Sequence, residues 1–197
     1  MLPARLLKED AEEISYSLSK ILNLSLRKGV LPQDWTSAHI VPVFKKNDKS
    51  NSSNYRHISL TSIVIKVLEK LVYRNVVSAL EGHGLLSDHQ HGFQARRSTV
   101  GLLSEAVHDW VLALEHRSSV HSLFLDLAKA FDSVPHYHLL LRLDLLGICG
   151  DLLNWFQAFL TCWRQRVVIN GQTSDWLNVH SGVPQGSVLG PYCLSYI

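Results

Sequence analysis

The sequence has few of the features that point to common protein classes. It contains only three cysteines among 197 residues, and their odd number and irregular spacing argue against a disulfide framework or a cysteine metal site. No run reaches the roughly 18 apolar residues that a membrane-spanning helix needs. The N-terminus carries Lys8 and acidic neighbours where a signal peptide has an apolar stretch. We therefore expect an intracellular protein with reduced thiols and no membrane partner.

The chain also has little excess of positive over negative charge. The formal net charge is only +2, so bulk charge does not indicate a nucleic-acid-binding protein. The glycine-lysine loop of nucleotide hydrolases, the serine elbow of esterases and the paired histidines of zinc proteases are all missing from the sequence. Hydrophobic residues make up 46% of the chain and charged residues 18%. This composition is typical of a globular domain with a sizeable core.

Hydrophobic periodicity divides the chain into helices and strands. A polar, turn-rich loop is predicted over 45–55, and the Asn170-Gly171 pair indicates a β-hairpin. The mixed order of helices and strands, without a clear linker, predicts an α+β fold. The predicted helices cover 6–27, 60–80, 98–116, 136–146 and 151–162, and the predicted strands cover 38–44, 120–127, 164–169 and 176–179.

The most informative stretch is SLFLDLAKAFDSVPH, residues 122–136. An apolar strand is predicted to place Asp126 at its end, and Phe131 and Asp132 follow in a short turn and helix. A carboxylate at a strand end is a good ligand for a hard metal ion, because the sheet fixes its position. The alternatives are that Asp126 caps the short helix and that Asp132 is solvated. The stretch alone leaves both open.

A second stretch, SGVPQGSVLGP, covers residues 181–191. Its glycines allow a ligand to approach the backbone closely. Gln185 offers both a hydrogen-bond donor and acceptors, which suit a base edge or a sugar-phosphate. The alternative is an ordinary loop before a helix.

Loop cations form a third feature. Lys45, Lys46, Lys49 and Arg56 cluster with a single acidic residue among them, and Arg97 lies in HGFQARRST. Such side chains bind triphosphates or nucleic-acid backbones. The alternative is that they are simply solvated.

Together and in this order, these stretches resemble the reverse transcriptase of non-LTR (LINE-like) retrotransposons. LPARLLKE resembles the segment that leads into that domain. WTSAHIVPVFKKNDKSNSSNYRHISL and HQHGFQARRST resemble its two fingers motifs, FLDLAKAFDSVPH its palm motif A, and SGVPQGSVLGP its motif B. The resemblance implies the fingers and partial palm of a right-hand polymerase fold. Residues 1–33 would form a helical lead-in, about 34–118 the fingers, and about 119–197 the palm with motifs A and B.

The resemblance also implies roles for individual residues. Asp126 matches the first metal-binding aspartate, and the backbone carbonyl of Leu127 would complete its metal site. Phe131 matches the bulky residue that excludes the ribose 2′-hydroxyl. Gln185 and Gly186 match residues that position the incoming nucleotide and the template. The cations implied near the triphosphate, template or nucleic-acid backbone are Arg56, Arg97, Lys45, Lys46 and Lys49.

The implied reaction is RNA-directed DNA synthesis. A primer 3′-hydroxyl would attack a deoxynucleoside triphosphate in a two-metal site, with Mg²⁺, or alternatively Mn²⁺, as the cofactor. The implied partners are an RNA template, a DNA primer and the triphosphate, and the oligomeric state is left open.

The sequence departs from the family pattern at several places. His57 stands where the family usually has proline, Gln94 where it has a basic residue, and Arg96 where it has glycine. Motif C, an aromatic-x-Asp-Asp turn, and the thumb are absent from the 197 residues, which contain no Asp-Asp pair. We therefore expect an incomplete, inactive copy. The alternatives are a non-catalytic RNA-binding or scaffold remnant of the same fold, and an unrelated α+β protein.

Overall fold

A computed structural model of the chain describes residues 3–195. Its helices and strands form an α+β domain built on a mixed sheet. None of the described helices is long and apolar enough to cross a bilayer. The helices are α1 (Ala4–Glu9), α2 (Ala11–Lys28), α3 (Ile63–Gly82), α4 (Thr99–Glu115), α5 (Ala130–Ser133), α6 (His136–Leu145), α7 (Gly150–Thr161) and α8 (Gly190–Ser195), with a 3₁₀ turn at Ser52–Asn54. The strands are β1 (Ser37–Phe44), β2 (Tyr55–Leu60), β3 (Arg164–Ile169), β4 (Gln172–Thr173) and β5 (Leu177–Asn178).

The helical periodicities produce helices close to the predicted positions. The segment predicted as one helix over 6–27 is two, because α1 and α2 meet at Asp10. Gly29 ends α2 in a left-handed conformation with φ of +60°, as glycine commonly does at a helix C-terminus. Ser98 caps α4 as predicted, since its hydroxyl accepts the backbone N–H of Gly101 at 3.1 Å.

The sheet is centred on β1, which runs antiparallel to β2 and parallel to β3. β3 then pairs antiparallel with β4 and β5. The predicted hairpin is confirmed: Asn170 and Gly171 both have positive φ, 50° and 80°, as a two-residue type I′ turn requires. β2 was not predicted.

Aromatic residues of α7 fill the centre of the core. Trp155 and Phe159 are completely buried and stack with ring centroids 5.3 Å apart. The indole N–H of Trp155 donates to the Ser25 hydroxyl of α2 at 3.3 Å, so the polar end of this large side chain is satisfied. Helix α7 is thereby fixed against α2.

The prediction of a buried strand over 120–127 is wrong. Within residues 3–195 no strand pairs with this segment, which is not assigned to any helix or strand. Leu123, Phe124 and Leu125 are 83–84% exposed. An apolar run becomes a buried strand only where a neighbouring strand offers hydrogen bonds and a packing surface. Asp126 consequently does not lie at the end of a sheet strand.

Candidate functional site

Two of the predicted site residues line the same cavity, which has a volume of about 460 Å³. Phe131 comes from α5 and Gln185 from the loop before α8, 54 positions later in the chain. Ile40, Ser59 and Gln165 contribute the sheet side of the cavity. The volume lies within the range typical of small-ligand sites.

Backbone hydrogen bonds hold the two predicted motifs together. Gly182 donates to the carbonyl of Val134 at 2.9 Å, and Val183 donates to the carbonyl of Phe131 at 2.7 Å. His136 Nε2 lies 2.7 Å from the Gly182 carbonyl and donates to it in the matching tautomer. A Cβ atom at Gly182 would lie 2.5 Å from the Phe131 carbonyl oxygen, and φ there is +83°. Only glycine permits so close an approach, so this packing fixes Phe131 relative to the loop.

Gly186 packs against β2. A Cβ atom there would lie 2.7 Å from the carbonyl oxygen of Ser59, and φ is +126°. The adjacent Gln185 carbonyl accepts the N–H of Ser59 at 2.7 Å. Gly186 is therefore required by its backbone contact with the sheet, and that contact presents Gln185 to the cavity.

Glu69 of α3 anchors the same loop, and sequence reasoning missed it. It is completely buried, and its Oε2 accepts the backbone N–H groups of Val188 and Leu189. Burial raises the pKa of Glu69 to about 7, while Oε1 has no hydrogen-bond partner among the described residues. The available signal was its place one turn after Ile65 on the apolar face of the predicted helix, where a carboxylate needs a partner.

Asp126 and Leu127 lie away from this cavity. Both are exposed, and Leu127 is 78% accessible. Asp126 is not the helix cap either, because the N-cap of α5 is Lys129. Within residues 3–195, no three His, Cys, Asp or Glu side chains come close enough together to hold a metal ion. Among the described residues, Asp126 is thus not part of such a group.

The predicted lysines lie apart from the cavity as well. Lys45, Lys46 and Lys49 are exposed on the loop between β1 and β2, as Arg56 is on β2. The ammonium group of Lys49 lies 5.6 Å from the centre of the Phe44 ring. These cations form a surface group near one end of the sheet.

Arg97 belongs to a local ion-pair network. Its guanidinium lies 3.3 Å from Asp88 and 3.9 Å from Glu105. Glu105 is also 3.0 Å from His91 Nε2, whose side chain is buried. Arg97 thus ties the loop before α4 to that helix.

The departure at Arg96 has a visible structural counterpart. Arg96 has a φ of +63°, the left-handed region in which glycine, the family's usual residue here, is unstrained. We expect Arg96→Gly to raise the free energy of unfolding by about 1 kcal/mol. Urea unfolding followed by tryptophan fluorescence measures this, and Arg74→Gly inside α3 is the control expected to destabilise. An equal decrease in the free energy of unfolding from both substitutions would show that the backbone at Arg96 is not strained.

Comparison with known proteins agrees with the resemblance. Residues 44–197 match the family described as "Reverse transcriptase (RNA-dependent DNA polymerase)". The chain is 33% identical to the probable RNA-directed DNA polymerase from transposon X-element of Drosophila melanogaster, over 90% of the chain and 20% of the relative. It is 31% identical to the RNA-directed DNA polymerase from mobile element jockey of Drosophila funebris, over 87% of the chain and 19% of the relative. It is 26% identical to the Pol polyprotein of the R2 element of Popillia japonica, over 89% of the chain and 24% of the relative. The chain thus spans about a fifth of the length of these curated relatives.

Proposed function

The chain belongs to the reverse transcriptase (RNA-dependent DNA polymerase) family, and we propose that it serves RNA-directed DNA synthesis by a non-LTR retrotransposon polymerase. The observation that carries the proposal is the cavity in which Phe131 and Gln185 meet. Two stretches with specific motif patterns meet there, 54 positions apart in the chain. Residues of about 34–118 are proposed as fingers and those of about 119–197 as palm.

The proposed reaction is nucleotidyl transfer. The primer 3′-hydroxyl loses its proton as its oxygen forms a bond to the α-phosphorus of a deoxynucleoside triphosphate, the bond from that phosphorus to the oxygen shared with the β-phosphate breaks, and pyrophosphate leaves. The Phe131 ring would occupy the space of a ribose 2′-hydroxyl, and the Gln185 amide would hydrogen-bond the nucleotide or template. Template sequence is read by base pairing, so the protein needs only to hold backbone and shape.

Mg²⁺ is the proposed cofactor, because it suits carboxylates combined with substrate phosphates. A two-ion site needs carboxylates shared between the ions, and the described residues gather no such set. The 197 residues by themselves are expected to bind RNA through exposed cations and to extend no primer.

Substitution of Phe131 tests the proposed function. The test uses a chimaera of the X-element polymerase in which the aligned segment is replaced by these 197 residues. In this chimaera, Phe131→Val should raise ribonucleotide relative to deoxyribonucleotide incorporation by roughly 10-fold or more, because removing the ring opens space for the 2′-hydroxyl. Single-nucleotide primer extension on an RNA template gives the ratio. Phe44→Val, an aromatic truncation outside the cavity, is the matched control. An unchanged ratio would mean that Phe131 is only a packing aromatic.

A further inference from the structure

Two arginines of β3 converge on one tryptophan. The guanidinium carbons of Arg164 and Arg166 lie 4.5 and 4.6 Å from the centre of the Trp176 ring. Arg164 Nε donates to the Ser37 hydroxyl at 2.8 Å, and Arg166 Nε donates to His39 Nε2 at 3.3 Å. These contacts orient both guanidinium planes. Within residues 3–195 their terminal Nη groups have no hydrogen-bond partner.

No acidic side chain in the described part of the chain pairs with this cluster. None of the described strands contains Asp or Glu. Asp175 precedes Trp176 in the chain, yet in the described part of the molecule neither Arg164 nor Arg166 forms an ion pair. Burial and the charge of Arg166 lower the pKa of His39, which leaves its Nε2 free to accept the Arg166 hydrogen bond. Two guanidiniums on one ring without an anion repel each other, so a bound anion would stabilise the arrangement.

The cluster continues along one face of the sheet. β1 pairs His39 with Arg166 and Val43 with Arg56, and residues two or four apart in a strand share a face. Arg56 therefore lies on the face of the arginine cluster, roughly 13 Å further along β1. Neighbouring phosphates of a nucleic-acid strand lie closer together than this distance, so one strand can place more than one phosphate along it.

We propose that this face, which we call the arginine face and define by Arg56, Arg164, Arg166 and Trp176, binds the phosphate backbone of single-stranded RNA. The free guanidinium edges suit bidentate contacts to phosphate oxygens. The proposal relies on the proposed function for the identity of the polyanion. The arginine face is separate from the nucleotide cavity. The cavity lies against Gln165 on the opposite face of the sheet, and Arg166 borders both surfaces.

The test is RNA binding by the 197-residue chain, measured by fluorescence anisotropy with a short labelled single strand at several salt concentrations. The double substitution Arg164→Gln and Arg166→Gln should weaken binding by at least about 10-fold. It should also reduce the slope of log affinity against log salt concentration by about 0.7 for each lost phosphate contact. The control pair, Arg74→Gln and Arg142→Gln, makes the same charge change on α3 and α6 and should cost about twofold or less. Equal losses from both pairs, or no loss from the first, would overturn the proposal.

A second measurement uses the unsubstituted chain and does not depend on how the variants fold. Bound RNA should protect Trp176 from hydroxyl-radical labelling and leave the exposed Tyr16 unprotected. An unprotected Trp176 would rule out the arginine face as the binding surface. Neither readout requires DNA synthesis, so an inactive polymerase chimaera would contradict the proposed function and leave this inference standing.

Discussion

Replacing Asp126 by asparagine in the polymerase chimaera should lower deoxynucleotide incorporation on an RNA template by roughly 1000-fold or more. The substitution removes the negative charge at the position that the family resemblance assigns to a metal ligand, and such a loss removes several kcal/mol of transition-state stabilisation. Folding should be unaffected, because Asp126 is exposed and makes no hydrogen bond or ion pair among the described residues.

Primer extension in Mg²⁺ measures the rate, and Asp144→Asn supplies the control. Asp144 is an exposed aspartate of α6, so its substitution makes the same chemical change outside the predicted motifs and should leave the rate unchanged. Extension by the Asp126→Asn chimaera at close to the unsubstituted rate would show that the assignment of motif A to FLDLAKAFDSVPH is wrong.

Glu69 should make the stability of the chain depend on pH. Burial raises its pKa from the usual range near 4.5 to about 7, so the folded state binds the proton more tightly than the unfolded state does. The stabilisation is complete below about pH 4.5 and is lost as the pH rises through 7. The free energy of unfolding should therefore fall by about 3 kcal/mol across this window.

Urea unfolding at pH 5 and pH 8, followed by tryptophan fluorescence, measures this difference, with dilute protein to limit aggregation. Glu69→Gln should remove most of the difference, because glutamine does not titrate. Glu81→Gln, at an exposed position of the same helix, should retain it. A Glu69→Gln chain with the full pH dependence would assign the effect to another group.

Local patterns predicted most of the helices and the hairpin, because their signals are contained within the elements themselves. The heptad-like spacing of apolar residues in α3, the Ser98 cap and the Asn170-Gly171 turn each act over a few residues. The strand predicted over 120–127 failed because a strand exists only through its neighbour, and local composition carries no information about that neighbour. β2 was missed for the converse reason: its short sequence, YRHISL, becomes a strand by pairing with β1.

The candidate site was predictable in part. Motif patterns selected Phe131 and Gln185, which the structure brings to one cavity. The patterns did not reveal that Gly182 and Gly186 are required by backbone packing, since that depends on carbonyls of distant segments. Arg97 was predicted to lie near the triphosphate or template, and its ion pairs with Asp88 and Glu105 were not predicted. Glu69 was missed because its partners are backbone groups about 120 positions away.

The parallel pairing of β1 with β3 has a consequence for synthesis of the protein. The paired Ser37 and Arg164 are 127 positions apart, whereas β2 follows β1 closely and can pair with it as soon as both have left the ribosome. At typical translation rates, β1 waits on the order of ten seconds for β3 to appear. During that interval one edge of the nascent hairpin offers unpaired backbone groups to other chains. Slowing translation between β1 and β3 should therefore increase the yield of aggregated chains relative to folded ones.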